Sequence, residues 1–227
     1  MTTSPARVRI DFVSDVACPW CAIGLASLQR ALAALDETVE ADIYLQPFEL
    51  DPQMPLEGED ADQRLMQKYG IGEAQLEENR RVIRDRAAPL GVTINTGRGS
   101  RAWNTFDAHR LLHWAGTLDR ERAVALKQAL FRAYFTDQEN VADREVLVRI
   151  AVEVGLDAAQ ARGILESDTY AGEVRALEQR YQQAGIQSVP ATIINRKWVI
   201  PGGQSPETFE GALRDIASRE EPAAGAA

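Results

Sequence analysis

The apolar residues of this chain change period twice, and the order of those changes restricts the folds open to it. From residue 7 to 13 the period is two: Val8, Ile10 and Phe12 alternate with Arg7, Arg9 and Asp11, which predicts a strand. A helical stripe follows, with Leu25, Leu28, Leu32 and Leu35 at spacings of three and four. Residues 43–46 read as a second strand, and Pro47, Pro52 and Pro55 end regular structure after it. Residues 60–184 are helical in pattern almost throughout. Ala123, Leu126, Leu130 and Tyr134 form one face, Val146, Ile150 and Val154 another, and Val174, Leu177 and Tyr181 a third. Inside this block the glycine-rich residues 91–100 are the clearest loop. Beyond Gly185, Ala191–Ile194 and Lys197–Ile200 are short β-branched runs around Asn195 and Arg196, a predicted hairpin. Pro201, Gly202 and Gly203 break the second run, and Phe209, Leu213 and Ile216 mark a last helix.

Strand–helix–strand, a helical block, then strand–strand–helix implies one four-stranded α/β domain carrying an all-helical insertion. The first unit must cross over right-handed to make a parallel pair, and the hairpin adds two antiparallel strands. The expected boundaries are 1–55 and 185–219 for a discontinuous sheet domain, 56–184 for the helical insertion, and 220–227 for a disordered tail. No internal repeat is visible.

The net charge of −9 argues against nucleic acid, whose phosphates need clustered Lys and Arg, and equally against an anionic membrane surface. No run of about 18 apolar residues exists to span a membrane. The segment before Val8 is too short and too polar for a signal-peptide core, so a cytoplasmic location is expected. Only two cysteines occur, Cys18 and Cys21. Structural disulfides are rare in the cytosol, so a lone close pair there points to redox or metal chemistry.

Cys18-Pro19-Trp20-Cys21 falls between the first strand and the start of the first helix, where Pro19 is harmless because the first-turn N–H has no partner anyway. Free N–H groups and the helix dipole favour negative charge at that end. The thiolate is the attacking form of a cysteine, and such positions can lower thiol pKa values from about 8.5 to roughly 3.5–7.5. Cys21 lies one turn on, on the same face, and can displace whatever Cys18 captures. Cys18 is therefore the expected nucleophile and Cys21 the resolving thiol. The competing reading, two small buried hydrophobes, does not account for their flanking Pro-Trp directly after a strand. Trp20 is a candidate for substrate contact, or simply covers the helix start. No His or Lys separates the cysteines, so the pair is expected to be less oxidising than one in a Cys-Pro-His-Cys motif.

Two further clusters deserve weighing. His109 and His113, at i and i+4, could complete a zinc set with the cysteines, but structural zinc motifs hold their two pairs about 12–15 residues apart and these are much farther. An amphipathic helix with surface or satisfied core histidines is the commoner outcome, and no metal is expected. The Arg98 and Arg101 loop could hold an anionic group such as a glutathione carboxylate, with a solvated basic loop the simpler account.

The segment from Asp15 through Cys18-Pro19-Trp20-Cys21 to Gly24 resembles the active-site segment of the FrnE-like branch of the DsbA family. Pro47 through Pro52 resembles that branch's block after the second strand, and Asn104 through Leu111 a helix start in its insertion. Ser188-Val189-Pro190 is similar to its cis-proline loop, and Gly202-Gly203-Gln204 to the segment after its final strand. The blocks occur in order over nearly the whole chain. The resemblance implies a thioredoxin fold, a four-stranded mixed sheet with a large all-helical insertion, and Cys18 and Cys21 as redox pair. It also implies a cis Val189–Pro190 bond beside them, where the Val189 backbone pairs with an extended substrate segment in strand fashion, and it suggests that Asn104 and His109 line the same cleft. With no further cysteines there is no second redox centre. The expected activity is thiol–disulfide exchange with a protein or small-molecule partner, with no bound cofactor, glutathione as candidate redox partner, and a monomer or homodimer. Alternatives are a glutathione-dependent isomerase or transferase related to 2-hydroxychromene-2-carboxylate isomerase, which need not have a second cysteine, and a chaperone-like binding module.

Overall fold

A computed structural model describes residues 5–35 and 38–219. The expected tail, 220–227, lies outside the described residues.

The sheet has the order β2-β1-β5-β6. Strand β1 (Ala6–Ser14) pairs in parallel with β2 (Val39–Pro47) along its whole length, from Ala6 opposite Val39 to Ser14 opposite Pro47. On its other edge β1 pairs antiparallel with β5 (Ala191–Ile194), which pairs antiparallel with β6 (Trp198–Pro201). This is the mixed four-stranded sheet of the thioredoxin fold. Strand β2 starts four residues before the predicted run. As an edge strand it is held there by backbone pairing to β1, so Glu40, Ala41 and Asp42 need carry no apolar pattern. Asn195 and Arg196 close the β5–β6 hairpin with φ of 51° and 57°. Two consecutive positive φ values define the type I′ turn whose twist suits a hairpin.

Helix α1 (Pro19–Ala34) and the C-terminal α9 (Pro206–Arg219) pack together on the sheet face that carries Val8, Ile10 and Phe12. Arg9 and Asp11 point to the opposite face, as strand alternation requires. The inserted block consists of α2 (Ala61–Tyr69), α3 (Glu73–Ala87), α4 (Phe106–Leu118), α5 (Arg120–Phe131), α6 (Arg144–Glu153), α7 (Ala158–Leu165) and α8 (Ala171–Gln183); α4, α5 and α8 pack against β2, whereas α3 packs against α1. The block is helical except for a two-residue ladder, β3 (Glu59–Asp60) against β4 (Arg101–Ala102), which ties the loop after α3 to the start of α2. Arg101 secures that ladder by donating to the carbonyls of Glu57 and Gly58 and lies 5.2 Å over the Trp103 ring. It is thus occupied structurally, while Arg98 pairs at 3.5 Å with Glu73 on the surface.

One buried apolar cluster runs through the sheet layer and the helical block, joining Ile10, Phe12 and Leu28 to Leu111, Leu126, Leu130 and Leu147. A smaller one, with Val13, Phe48, Tyr181, Ile186 and Ala191, underlies the end of β5 nearest the cysteines.

Candidate active site

Strand β1 ends at Ser14, and α1 begins at Pro19, so the segment between delivers Cys18 to the helix start. Cys18 is the N-cap, with extended backbone (φ −101°, ψ 110°), and its carbonyl accepts from the N–H groups of Cys21 (3.0 Å) and Ala22 (3.3 Å). No side chain caps α1 and its first turn holds no acidic residue, so the positive end of the helix faces the thiols without a built-in counter-charge. Both cysteines are free thiols. Cys18 is 4% exposed and Cys21 fully buried. The Cys18 thiol donates to the Val189 carbonyl, with Sγ 3.7 Å from the oxygen. The Val189–Pro190 peptide is cis. Burial, and then the hydrogen bond and charge of Cys18, push the Cys21 thiol well above its ordinary range.

Two glycines allow these parts to meet. A Cβ on Gly24 would come within 3.1 Å of the Pro190 ring, and one on Gly203 would sit 2.7 Å from the Trp20 carbonyl oxygen. Hence α1 can lie directly against both the cis-proline loop and the segment after β6.

Beneath the cysteines is a polar cluster. Asp15 is buried; its Oδ2 accepts from the Leu50 N–H at 2.7 Å, and Oδ1 lies 3.3 Å from His109 Nε2. Burial alone would raise the Asp15 carboxyl, but the hydrogen bond and charge of His109, the Leu50 N–H and the Lys127 ammonium together hold it below the ordinary range. Lys127 reaches in from α5, almost wholly buried, donating to the Ser14 carbonyl at 3.4 Å. Desolvation lowers its pKa to about 8, against the opposing influence of Cys21, Asp15 and Cys18. The mouth is shaped by half-buried Trp20 on one side. On another stands Tyr69, 58% exposed, whose phenol is pushed up by burial and by nearby Cys18.

The sequence-predicted residues therefore separate. Cys18, Cys21, Val189 and Pro190 meet, with Trp20 at their edge, and His109 joins them only through Asp15, as a satisfied core histidine. His113 turns away and packs on Tyr170, ring centroids 5.1 Å apart. Asn104 commits both ends of its amide to structure: Nδ2 donates to the Met54 carbonyl at 2.7 Å and Oδ1 accepts from the Phe106 N–H at 2.9 Å. Asp15 and Lys127 were not anticipated. Lys127 had a signal, since it falls four residues after Ala123 and three before Leu130 on the apolar stripe of α5, where a charge is out of place.

A dithiol at the start of the first helix of a thioredoxin fold, facing a cis-proline loop, defines the class of thioredoxin-fold thiol oxidoreductases. The DSBA-like thioredoxin domain pattern matches residues 9–214, so the chain belongs to the DSBA-like thioredoxin domain family. It is 32% identical over 213 residues, covering 92% of this chain and 96% of the other, to YwbO of Bacillus subtilis, described as uncharacterized. A probable DsbA oxidoreductase of Streptomyces coelicolor shares 36% identity and superposes with a TM-score of 0.85, covering 97% of this chain and 94% of that one. The cytosolic disulfide reductase DsbM of Pseudomonas aeruginosa, solved with glutathione, shares the fold at 18% identity and a TM-score of 0.60, over 92% of this chain and 99% of that one. No helix among the described residues is long and apolar enough to cross a membrane.

Proposed function

We propose that this chain is a thiol–disulfide oxidoreductase of the FrnE-like kind that works through Cys18-Pro19-Trp20-Cys21, Cys18 attacking and Cys21 resolving. The observation that carries the reading is the inequality of the two thiols at one helix start: Cys18 contacts the Val189 carbonyl beside the cis Val189–Pro190 bond, and Cys21 is fully buried behind it. The Cys18 thiolate attacks a substrate disulfide, forms a mixed disulfide and releases one substrate thiolate, which takes up a proton. Cys21 then gives up its proton, attacks Cys18 Sγ, closes the intramolecular disulfide and expels the second thiolate. Two electrons have passed to the substrate, and two equivalents of a thiol such as glutathione return them.

Val189 supplies the backbone N–H and C=O that align an extended substrate, with Pro190 and Trp20 bounding the groove. Lys127 is the buried positive charge that favours thiolate on Cys21, and His109 is a positioning residue acting through Asp15. Asn104 fixes the Met54 loop through its amide. A cytoplasmic setting, with glutathione as electron donor, makes the chain a reductase or isomerase.

An insulin-reduction assay with glutathione tests the assignment. Cys18→Ser is expected to abolish turnover, and Cys21→Ser to accumulate Cys18 mixed disulfides visible by mass spectrometry. Full activity in Cys18→Ser refutes the proposal. Undiminished glutathione-dependent turnover in Cys21→Ser replaces it with the isomerase or transferase reading. A chaperone role is the result if aggregation suppression survives loss of both thiols while reduction was never detected.

A further inference from the structure

On the sheet face turned away from α1 lies a cavity of about 480 Å³, bounded by β2, α4, α8 and β5. None of Cys18, Cys21, Trp20, Val189 and Pro190 lines it, so its use does not depend on the redox chemistry. Its floor is apolar, with Leu45, Leu112 and Ile193, and its size is that of pockets holding small organic molecules. The rim is the opposite: Arg9, Arg120, Arg180 and Arg196 all converge there. In a chain of net charge −9 this is a local reversal of sign.

The four guanidiniums are not equally free. Arg9 is bound to Asp11 at 2.6 Å and lies 3.5 Å over the Tyr44 ring, and Arg120 is bound to Asp42 at 2.6 Å. Among the described residues no carboxylate forms an ion pair with Arg180 or Arg196. Both are exposed, and both line the same cavity as Arg9 and Tyr181. Two spare guanidiniums above an apolar floor complement a molecule with an apolar body and an anionic end.

We propose that this cavity binds a small organic anion, its planar or aliphatic body on the Leu45–Leu112–Ile193 floor and its carboxylate, sulfonate or phosphate held by Arg180 and Arg196. Guanidinium forks suit such oxyanions because they offer two parallel N–H donors. Exposure of the pair makes the charged part of the binding salt-sensitive.

Anilinonaphthalene sulfonate is the probe, with uncharged N-phenylnaphthylamine as its control, in fluorescence titrations of the full chain. The sulfonate is expected to bind at one saturable site. Arg180→Gln with Arg196→Asn removes both charges, and asparagine tolerates the positive φ of 57° at position 196. That pair of changes is expected to weaken the sulfonate at least tenfold and the neutral probe less than twofold. Gly116→Leu, which puts a side chain into the cavity from α4, where a Cβ would meet nothing closer than Ala123 at 4.0 Å, is expected to block both probes. Disulfide reduction should persist in these variants as the check on folding. Non-saturable binding, sulfonate affinity unchanged by the arginine changes, an equal loss for the neutral probe, or full binding in Gly116→Leu overturns the proposal.

Discussion

Burying a lysine ammonium costs several kcal/mol unless its surroundings compensate, and Lys127 has a carbonyl at 3.4 Å, the Phe131 ring at 5.2 Å and the influence of Cys21, Asp15 and Cys18 to do so. Its pKa, about 8 in the fold against an ordinary 10.5, means that between those values the unfolded chain binds more protons than the folded one. Stability therefore rises with pH across that window, by up to roughly 3 kcal/mol. Lys127→Met is expected to raise the urea midpoint at pH 7 and to flatten the rise between pH 8 and 10.5. The same change is expected to slow resolution of the Cys18 mixed disulfide by about tenfold, one pKa unit of lost thiolate stabilisation. A variant that is both less stable at pH 7 and unimpaired in resolution contradicts this account. Glu49 carries the opposite sign. Its carboxylate shares Arg175 with Glu178, whose own contact to Arg175 is 3.0 Å, and one oxygen of each acid is buried without a partner. Burial, then Glu178, push the Glu49 carboxyl up to about 7, so the fold holds an extra proton between pH 4.5 and 7 and loses stability as pH rises through that range. Glu49→Gln, which leaves Arg175 paired with Glu178, is expected to remove that loss and gain roughly 1–3 kcal/mol at pH 8. Denaturation curves at pH 5 and pH 8 check it; an equal shift at both pH values rules out the shared proton.

Between elements, the site depends on how closely α1 approaches the loops around it. Gly203 sits where any side chain would press on the Trp20 carbonyl at 2.7 Å, which is backbone and cannot swing aside. Gly203→Ala is expected to cost about 1–3 kcal/mol, as overpacking does, and to slow disulfide exchange by displacing the first turn of α1. Unchanged melting and turnover would mean that the segment after β6 moves freely. This contact explains what the sequence could and could not say. The β-branched runs around Asn195 and Arg196 revealed the hairpin, and period-two and helical stripes revealed β1, α1 and α9, because one-sided burial leaves a pattern. The first half of β2 left none, since an edge strand is held by its neighbour's backbone. Helix starts inside the block carry a mark of their own: Asp60, Asp119, Asp143 and Asp157 each cap a helix by accepting first-turn N–H bonds. Of the site, the cysteines were readable from spacing. Asp15 carries no periodic signal of burial, because its surroundings are created by His109 and Lys127, which reach it only in the folded chain.

For the molecule as a whole, the chain crosses from sheet to helices and back at points that say nothing about where its core divides. We propose that residues 56–184 form an inserted domain in topology and fold together with the sheet. The buried cluster supports this, since Leu126 and Leu130 of the block and Ile10 and Phe12 of β1 belong to one packed set. Polar ties cross the same seam: Lys127 reaches Ser14, His109 reaches Asp15, and Arg120 reaches Asp42. Separating the layers would expose that apolar surface and leave Lys127 and Asp15 without their compensating partners, so neither layer has a low-energy state alone. A single unfolding transition is expected, although chains of more than about 150 residues often show more. Guanidinium titrations followed by far-ultraviolet dichroism, which reports mainly the helical block, and by alkylation of fully buried Cys21, which reports the sheet layer, should give coincident midpoints. Leu126→Ala, a cavity in the shared core, should lower both midpoints together, at a cost of about 2–5 kcal/mol. If helicity is lost before Cys21 becomes reactive, the block unfolds by itself, and the arrangement of Lys127 over the cysteines is a docking equilibrium between two domains.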